Sequence, residues 1–224
     1  MRHYHYSRDE EEFMMDKFLG LCHRTLFNAI KPVTKMFGKM HFPFTRKLLT
    51  GKDYYFIYSL LKPGVIFVTR TRGEFTTFLI PGFWKHAAMY TPHAGTPDEL
   101  VTEAEGIGII ETDFISFFLR KDYVAILEPK FLGDKKDQIM KRASEIANEQ
   151  LGKPYDFDFK FQISNNQAFY CSELVWWSYA QACMEFVVEC PFVPRTKLGE
   201  ETITPDDIAL AESKFNLLWT NRKS

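Results

Sequence analysis

The chain has 224 residues, of which 46% are hydrophobic and 25% charged. This apolar fraction is typical of a globular protein and excludes wholesale disorder. With 28 basic and 29 acidic side chains the net charge is -1, so nothing in the overall charge indicates nucleic-acid binding, and we expect no nucleic-acid partner.

The N-terminal part, residues 1–60, is predicted to be a helical extension. Apolar residues recur at helical intervals early in this part, and prolines interrupt the pattern later. Residues 31–52 contain basic, aromatic and methionine side chains but no acid. Segments of this kind can lie on anionic membranes, so contact of residues 31–52 with a membrane surface is one interpretation. The other is an extension that packs on the core and leaves its charges in water.

The middle of the chain, residues 63–129, is predicted to form strands. Short runs rich in β-branched and aromatic residues alternate there with Pro, Gly and Asp turns. Links of hairpin length between several of these runs favour an antiparallel sheet. The predicted strands are residues 65–68, 86–90, 100–104, 108–111 and 123–127.

The last part of the chain is predicted to be helical. Residues 134–151 carry apolar side chains at helical spacing, and Gly152 follows where a helix would end. A second helix begins within residues 169–175 and extends to about Phe186. Residues 204–208 are typical of a capped turn with Pro205 at the first helical position.

The cysteines and the apolar runs indicate the cellular compartment and whether a cofactor is expected. Cys22, Cys171, Cys183 and Cys190 form no CxxC pair, and no histidine stands beside them at zinc-ligand spacing. We therefore expect mostly reduced thiols and no metal or organic cofactor. No run approaches ~18 apolar residues, and the first residues lack the apolar run of a signal peptide, so we expect a soluble, cytoplasmic protein.

Cys171 lies where a loop enters an amphipathic helix. The unpaired N–H groups and the positive dipole end of a helix favour a thiolate at this position. Such a thiolate can attack a carbonyl carbon while nearby N–H groups bind the oxyanion. The alternative is a buried, inert thiol, which is how we interpret Cys183 and Cys190.

His86 is the candidate base for this nucleophile. It begins an apolar strand, from which an imidazole can be aimed rigidly, whereas the other histidines lie in the N-terminal part or in loops. Glu103 follows on the next predicted strand and can orient the ring, as a third group does in such sites. Glu105 shares the same strand face, so the sequence leaves the choice between these acids open. A half-buried histidine and a surface glutamate are the alternatives.

Residues 84–90, 102–108 and 170–175 together resemble a known family. They are similar to the circularly permuted branch of the NlpC-type papain-like hydrolases, which contains the YiiX-like proteins and a poxvirus relative. In this branch the His-bearing strands precede the Cys-bearing helix, as they do here, in the reverse of papain's order. Residues 61–64, 151–156 and 204–207 match further segments of the family.

The resemblance covers roughly residues 61–208 and implies an α+β, permuted papain-like fold, and we expect the hydrolase domain to extend over residues 61–224. In that fold an antiparallel, barrel-like sheet packs on the helix that bears the nucleophile and on the helix of residues 134–151. The implied catalytic triad is Cys171 as nucleophile, His86 as base and Glu103 as orienting acid. Tyr155 belongs to a Gly-x-Pro-Tyr segment that lines the cleft in the family, which makes it the candidate substrate-binding residue.

The function expected from these residues is hydrolysis of a peptide or amide through an acyl-enzyme. The resemblance suggests peptidoglycan-type peptides as substrates. Two alternatives stay open. One is a lipid-directed thioesterase or acyltransferase, because the lecithin retinol acyltransferase group shares the permuted architecture. The other is a non-catalytic binding module in which Cys171 is only a packed thiol.

Overall fold

The structure, a computed structural model, describes residues 48–72, 80, 82–93, 99–130, 134–157, 167–192, 194–197 and 200–222. Cys22 and all but the last residues of the basic segment 31–52 lie outside this part of the chain. The helices and strands, in chain order, are α1 (Gly51–Tyr58), β1 (Ile66–Arg70), β2 (His86–Tyr90), β3 (Leu100–Glu105), β4 (Gly108–Asp113), α2 (Phe114–Leu119), β5 (Tyr123–Pro129), α3 (Lys136–Asn148), α4 (Cys171–Phe186), β6 (Arg195–Lys197), β7 (Glu200–Thr202), α5 (Pro205–Ala209) and β8 (Phe215–Thr220).

An antiparallel sheet of six strands forms the centre of the molecule, in the order β4-β3-β2-β1-β5-β8. Every strand predicted between residues 63 and 129 is present, and β2 has the predicted bounds. The antiparallel pairing is therefore confirmed. The sheet is open, since β4 and β8 each pair with one neighbour. The barrel-like closure that we expected is not seen among the described strands.

Helices cover both faces of the sheet. On one face Phe67 of β1 contacts Phe117 and Phe118 of α2, with ring centroids 5.8 and 5.0 Å apart. Because strand side chains alternate, Ile66 and Val68 point to the opposite face. There α4 packs on β2 and β3, and α3 packs on α4. All three β1 side chains are fully buried, which explains why this strand is a continuous apolar run.

The predicted helices are present: α3 is slightly shorter than predicted, and α4 ends at Phe186, as predicted. The apolar stripe of α3 is buried, and the helix ends before the predicted Gly152. In α4 most side chains are buried as far as Cys183, so this helix lies inside the fold. The predicted capped turn is α5, where Thr204 and Asp207 form a capping box around Pro205.

The described end of the predicted extension is α1, which packs on the same core as the sheet. Ile57 is fully buried, and the rings of Tyr54 and Tyr58 meet Phe118 and Phe114 edge-on. The division of the chain at residue 60 stays a prediction. No helix in the described ranges is long and apolar enough to cross a membrane.

Candidate active site

His86 and Glu103 meet at the start of β2. The strand register places Glu103 opposite Ala88, which makes it the diagonal neighbour of His86 on the same face. His86 Nε2 lies 2.8 Å from Glu103 Oε2. The Glu103 side chain is fully buried and that of His86 is 18% exposed. The acid is thus held inside the sheet while the base keeps an accessible edge.

Cations and a hydroxyl surround the Glu103 carboxylate. Its Oε1 accepts hydrogen bonds from Thr112 Oγ1 and Arg120 Nη2, both at 2.7 Å. Lys121 Nζ lies 3.9 Å from Oε2 and is itself buried. Burial alone would raise the pKa of Glu103, but the charges of Lys121, His86 and Arg120 hold it well below its usual range. Glu103 is therefore ionised at neutral pH.

Glu105, the other candidate acid, is bound by the same arginine as Glu103. Its Oε1 lies 2.9 Å from Arg120 Nη1, so one guanidinium spans both carboxylates. The carboxylate that the structure brings to the His86 ring is that of Glu103. This contact distinguishes the two acids where strand alternation does not.

Cys171 is the first residue of α4 and is 3% exposed. Burial would raise the pKa of its thiol, yet the pKa is lowered by a hydrogen bond to His86, by the charge of that ring, and by the N–H groups of Ala87 and Ser172. The first-turn position adds the helix dipole in the same direction. The predicted setting of this thiol at a helix N-terminus is therefore what the fold provides.

The pKa of His86 shifts in the opposite direction to that of Cys171. Burial and the charge of Lys121 lower its pKa, but hydrogen bonds to Cys171 and Glu103 outweigh them and raise the pKa to about 9. A lowered thiol pKa beside a raised imidazole pKa favours a thiolate–imidazolium pair at neutral pH. Since Nε2 binds Glu103, Nδ1 is the ring nitrogen left to exchange a proton with the thiol.

Tyr155 adjoins the thiol from the loop before α4. It packs against a small apolar cluster that contains Cys171, Ile109 and Phe169, and its backbone bridges to that of Phe169. Burial raises the pKa of Tyr155 well above its usual value, and negative charge at Cys171 raises it further. A neutral phenol therefore lies beside the nucleophile candidate.

A glycine brings the loop of Tyr155 against the sheet. Gly108, at the start of β4, has φ +122, and a Cβ there would lie 2.7 Å from the carbonyl oxygen of Lys153. The chains approach closely because Ile109 N donates to Lys153 O at 2.8 Å and Gly152 N donates to Ile109 O at 3.0 Å. Only a glycine accommodates both the dihedral and this approach.

Two further thiols in the described ranges, Cys183 and Cys190, lie apart from this arrangement. Cys183 and Cys190 are free thiols towards the far end of α4, and hydrogen bonding between them raises the pKa of Cys183 and lowers that of Cys190. Within the described ranges, no three His, Cys, Asp or Glu side chains are grouped so as to hold a metal ion.

A protein-family model described as "permuted papain-like amidase enzyme, YaeF/YiiX, C92 family" matches residues 60–212. The chain belongs to this family. As a C92 member it is a cysteine peptidase or amidase-like hydrolase, which confirms the enzyme class expected from the sequence.

One solved relative has the same fold as this C92 member. The crystal structure of the metalloprotein yiiX from Escherichia coli O157:H7 matches with a TM-score of 0.55 and 18% sequence identity, and the match covers 73% of this chain and 97% of that chain. At this identity the likeness concerns the fold alone. A comparison with curated proteins found no match.

Several residues around the site of this C92 member were not predicted. Thr112, Arg120 and Lys121 hold Glu103, and the adjacent pair Arg120-Lys121 directly after an apolar segment was the available signal. Asp206 lies in a segment that matched the family, but the sequence assigned it no role. Its contacts, described below, reach the start of β2.

Proposed function

We propose that Cys171, His86 and Glu103 act as a catalytic triad that hydrolyses an amide through a covalent acyl-enzyme. The observation that carries the proposal is the unbroken series of contacts from the thiol to the imidazole and from the imidazole to a buried, ionised carboxylate. Nucleophile, base and a third group that orients the base stand in this relation in cysteine hydrolases of the papain type.

In the first half-reaction the Cys171 thiolate attacks the carbonyl carbon of the amide. The new C–S bond moves the carbonyl electron pair onto oxygen, and an N–H group of the first turn of α4, such as that of Cys171, is available to bind the oxyanion. The His86 imidazolium then gives its proton to the leaving amine as the C–N bond breaks. The product is a thioester on Cys171.

In the second half-reaction His86 accepts a proton from water, and the resulting hydroxide attacks the thioester. The tetrahedral intermediate formed by this attack then collapses. Its C–S bond breaks, the carboxylic acid is released and the thiolate–imidazolium pair is restored. Glu103 keeps the ring in one orientation through both halves and offsets its positive charge. No other group needs to change its protonation state.

The substrate is the finer part of the proposal. We infer peptidoglycan-type peptides, such as those with γ-linked glutamate, from the wider resemblance to NlpC-type hydrolases and their poxvirus relative. Tyr155 is the proposed contact for such a substrate because its ring adjoins the thiol in an apolar cluster. Residues 61–224 form the proposed hydrolase domain and residues 1–60 its extension.

A lipid-directed thioesterase or acyltransferase is the second candidate. The observation in its favour is that Tyr55 and Phe56 of α1 are 83% and 49% exposed directly after the basic segment 31–52. Aromatic side chains next to basic ones favour an anionic membrane surface. Co-sedimentation with vesicles of anionic lipid at low salt, lost when Lys35, Lys39 and Lys47 are changed to Glu, would support this candidate.

Alkylation of Cys171 as a function of pH tests the triad without knowledge of the substrate. Iodoacetamide labelling is followed by peptide mass mapping in the parent chain and in His86→Ala. We expect a midpoint below about 7 in the parent, raised towards the free-thiol value of about 8.5 in the variant. Slow labelling of Cys171 that is the same in the parent chain and in His86→Ala would contradict the triad and favour a non-catalytic binding module.

A further inference from the structure

The segment between β7 and α5 contacts the start of the nucleophile helix. Ser172 Oγ donates a hydrogen bond to Ile203 O at 2.7 Å, and Ile203 N donates to the phenol oxygen of Tyr170 at 3.2 Å. All three residues are at most 2% exposed. Two buried hydrogen bonds thus join Ile203 to the residues on either side of Cys171.

The first turn of α5, directly after this segment, contacts the start of the strand that bears His86. Asp206 accepts a hydrogen bond from Phe83 N at 2.9 Å on Oδ2 and from Trp84 N at 2.6 Å on Oδ1. Gly82 makes this approach possible, because it has φ +90 and a Cβ there would lie 2.1 Å from Asp206 Oδ2. The carboxylate therefore binds the backbone just before His86 at two points.

The residues between these contacts are held rigidly. Thr204 donates from its N and its Oγ1 to Asp207 Oδ2 at 2.8 and 2.6 Å, and Asp207 N donates back to Thr204 Oγ1 at 3.2 Å. Pro205 has a restricted φ. Residues 203–206, here called the 203–206 bridge, therefore connect the start of α4 to the start of β2 without a flexible link.

We propose that Asp206 is a positioning residue that sets the separation between the Cys171 thiol and the His86 ring through the 203–206 bridge. This inference rests on the proposed function, because it concerns the distance over which the Cys–His proton is exchanged. Hydrogen bonding between the side chains depends steeply on that distance. Misplacement of a reacting group by about 1 Å can lower a rate by about 100-fold.

Asp53 provides the control. Its carboxylate accepts hydrogen bonds from Thr50 N and Thr50 Oγ1, both at 2.7 Å, and caps α1, which is not part of the 203–206 bridge. Asp206→Asn removes one of the two acceptor oxygens that hold the backbone before His86. Asp53→Asn weakens a helix cap elsewhere in the fold. A purely structural role of Asp206 would make the two variants alike in every measurement.

The test compares iodoacetamide labelling of Cys171 against pH in the full chain and in the two variants. We expect the midpoint to rise by about one unit or more towards about 8.5 in Asp206→Asn and to stay at the parent value in Asp53→Asn. Thermal unfolding of both variants accompanies the labelling. Equal midpoints in the two variants, with the parent value retained, would overturn the inference.

Ser172→Ala removes one of the two hydrogen bonds at the other end of the bridge and serves if Asp206→Asn does not fold. It should raise the midpoint in the same direction. If both fold, the double variant Ser172→Ala/Asp206→Asn should shift the midpoint no further than the larger single change, because one broken end already releases the bridge. Fully additive shifts would contradict the bridge.

The two proposals fail in distinguishable ways. A parent midpoint that His86→Ala does not change contradicts the triad itself, and the bridge with it. A parent midpoint that depends on His86 but not on Asp206 or Ser172 leaves the triad standing and overturns the bridge alone.

Discussion

Arg120 donates from Nη2 to Glu103 Oε1 at a distance of 2.7 Å, and the acceptor carboxylate is fully buried. The other arm of the same guanidinium binds Glu105. Arg120 therefore binds both neighbouring acids, and the difference between them is the contact of Glu103 with His86. Substituting each acid separately tests whether only Glu103 acts on His86.

Glu103→Gln should lower kcat for amide hydrolysis by roughly 100- to 10,000-fold, the range for loss of proper acid–base function. A neutral amide neither offsets the imidazolium charge nor accepts as strongly from Nε2. Glu105→Gln, which keeps the size of the side chain and leaves the His86 contact in place, should change kcat far less. Equal losses in the two variants would show that neither acid has a special relation to His86.

Lys121→Met should move the alkaline limb of the kcat/KM profile to higher pH. The limb reports deprotonation of the His86 imidazolium, whose pKa is raised to about 9, and activity falls as pH rises through that value. The charge of Lys121 opposes the imidazolium, so its removal raises the pKa of His86 further. Cys171 and Glu103, in contrast to Lys121, raise the pKa of His86. Glu103→Gln should therefore move the alkaline limb to lower pH.

Lys121→Arg is the control for this prediction, since it keeps the positive charge near Glu103. Its alkaline limb should stay close to that of the parent. A downward shift in Lys121→Met would mean that the lysine acts on His86 mainly through Glu103.

Tyr155→Ala should raise KM for an amide substrate by about tenfold or more, because full loss of an aromatic contact costs about 1.5–3 kcal/mol. Labelling of Cys171 should keep its pH dependence, since the phenol is neutral and does not form the Cys–His pair. Tyr155→Phe retains the ring and should retain most of the affinity. An unchanged KM in Tyr155→Ala would remove this residue from the proposed cleft.

Gly108→Ala should lower the free energy of unfolding by about 1–3 kcal/mol, the cost of a strained dihedral, with the clash against Lys153 O as an added burden. Gly51→Ala is the matched control, because no atom lies within 4 Å of its added Cβ. Urea denaturation of both variants measures the difference. Similar midpoints would contradict the close approach at Gly108.

Local patterns predicted the parts of the site that local geometry determines. The start of β2 at His86 and of α4 at Cys171 follow from an apolar run and from helical spacing. Glu103 and Glu105 share a strand face, and continuing the register would place Glu105 opposite His86. Arg120 binds both acids, so it does not choose between them. A contact that holds Glu103 comes from Thr112 on β4, and the pattern of β3 does not contain it.

The missed elements are short or lie at an edge. The helix α2 has only 6 residues and is begun by Asp113, whose side chain accepts from Ser116 N, so its pattern is too short for a helical period to stand out. The edge strand β8 is mostly half-exposed and lacks the apolar run of the central strands. The expectation of a barrel-like closure came from the family resemblance. Such a closure depends on the pairing of strands that are far apart in the sequence, which local patterns do not contain.

The late position of the 203–206 bridge has a consequence for the timing of synthesis. A nascent chain that has reached Cys171 already contains His86 and Glu103, but it lacks the bridge and also β8, which pairs with β5 at the edge of the sheet. If the bridge acts as proposed, the thiol and the imidazole reach their final separation only after residues 203–206 have been synthesised and have packed against the starts of α4 and β2. A nascent chain that ends between Cys171 and Ile203 would therefore carry the thiol without this positioning.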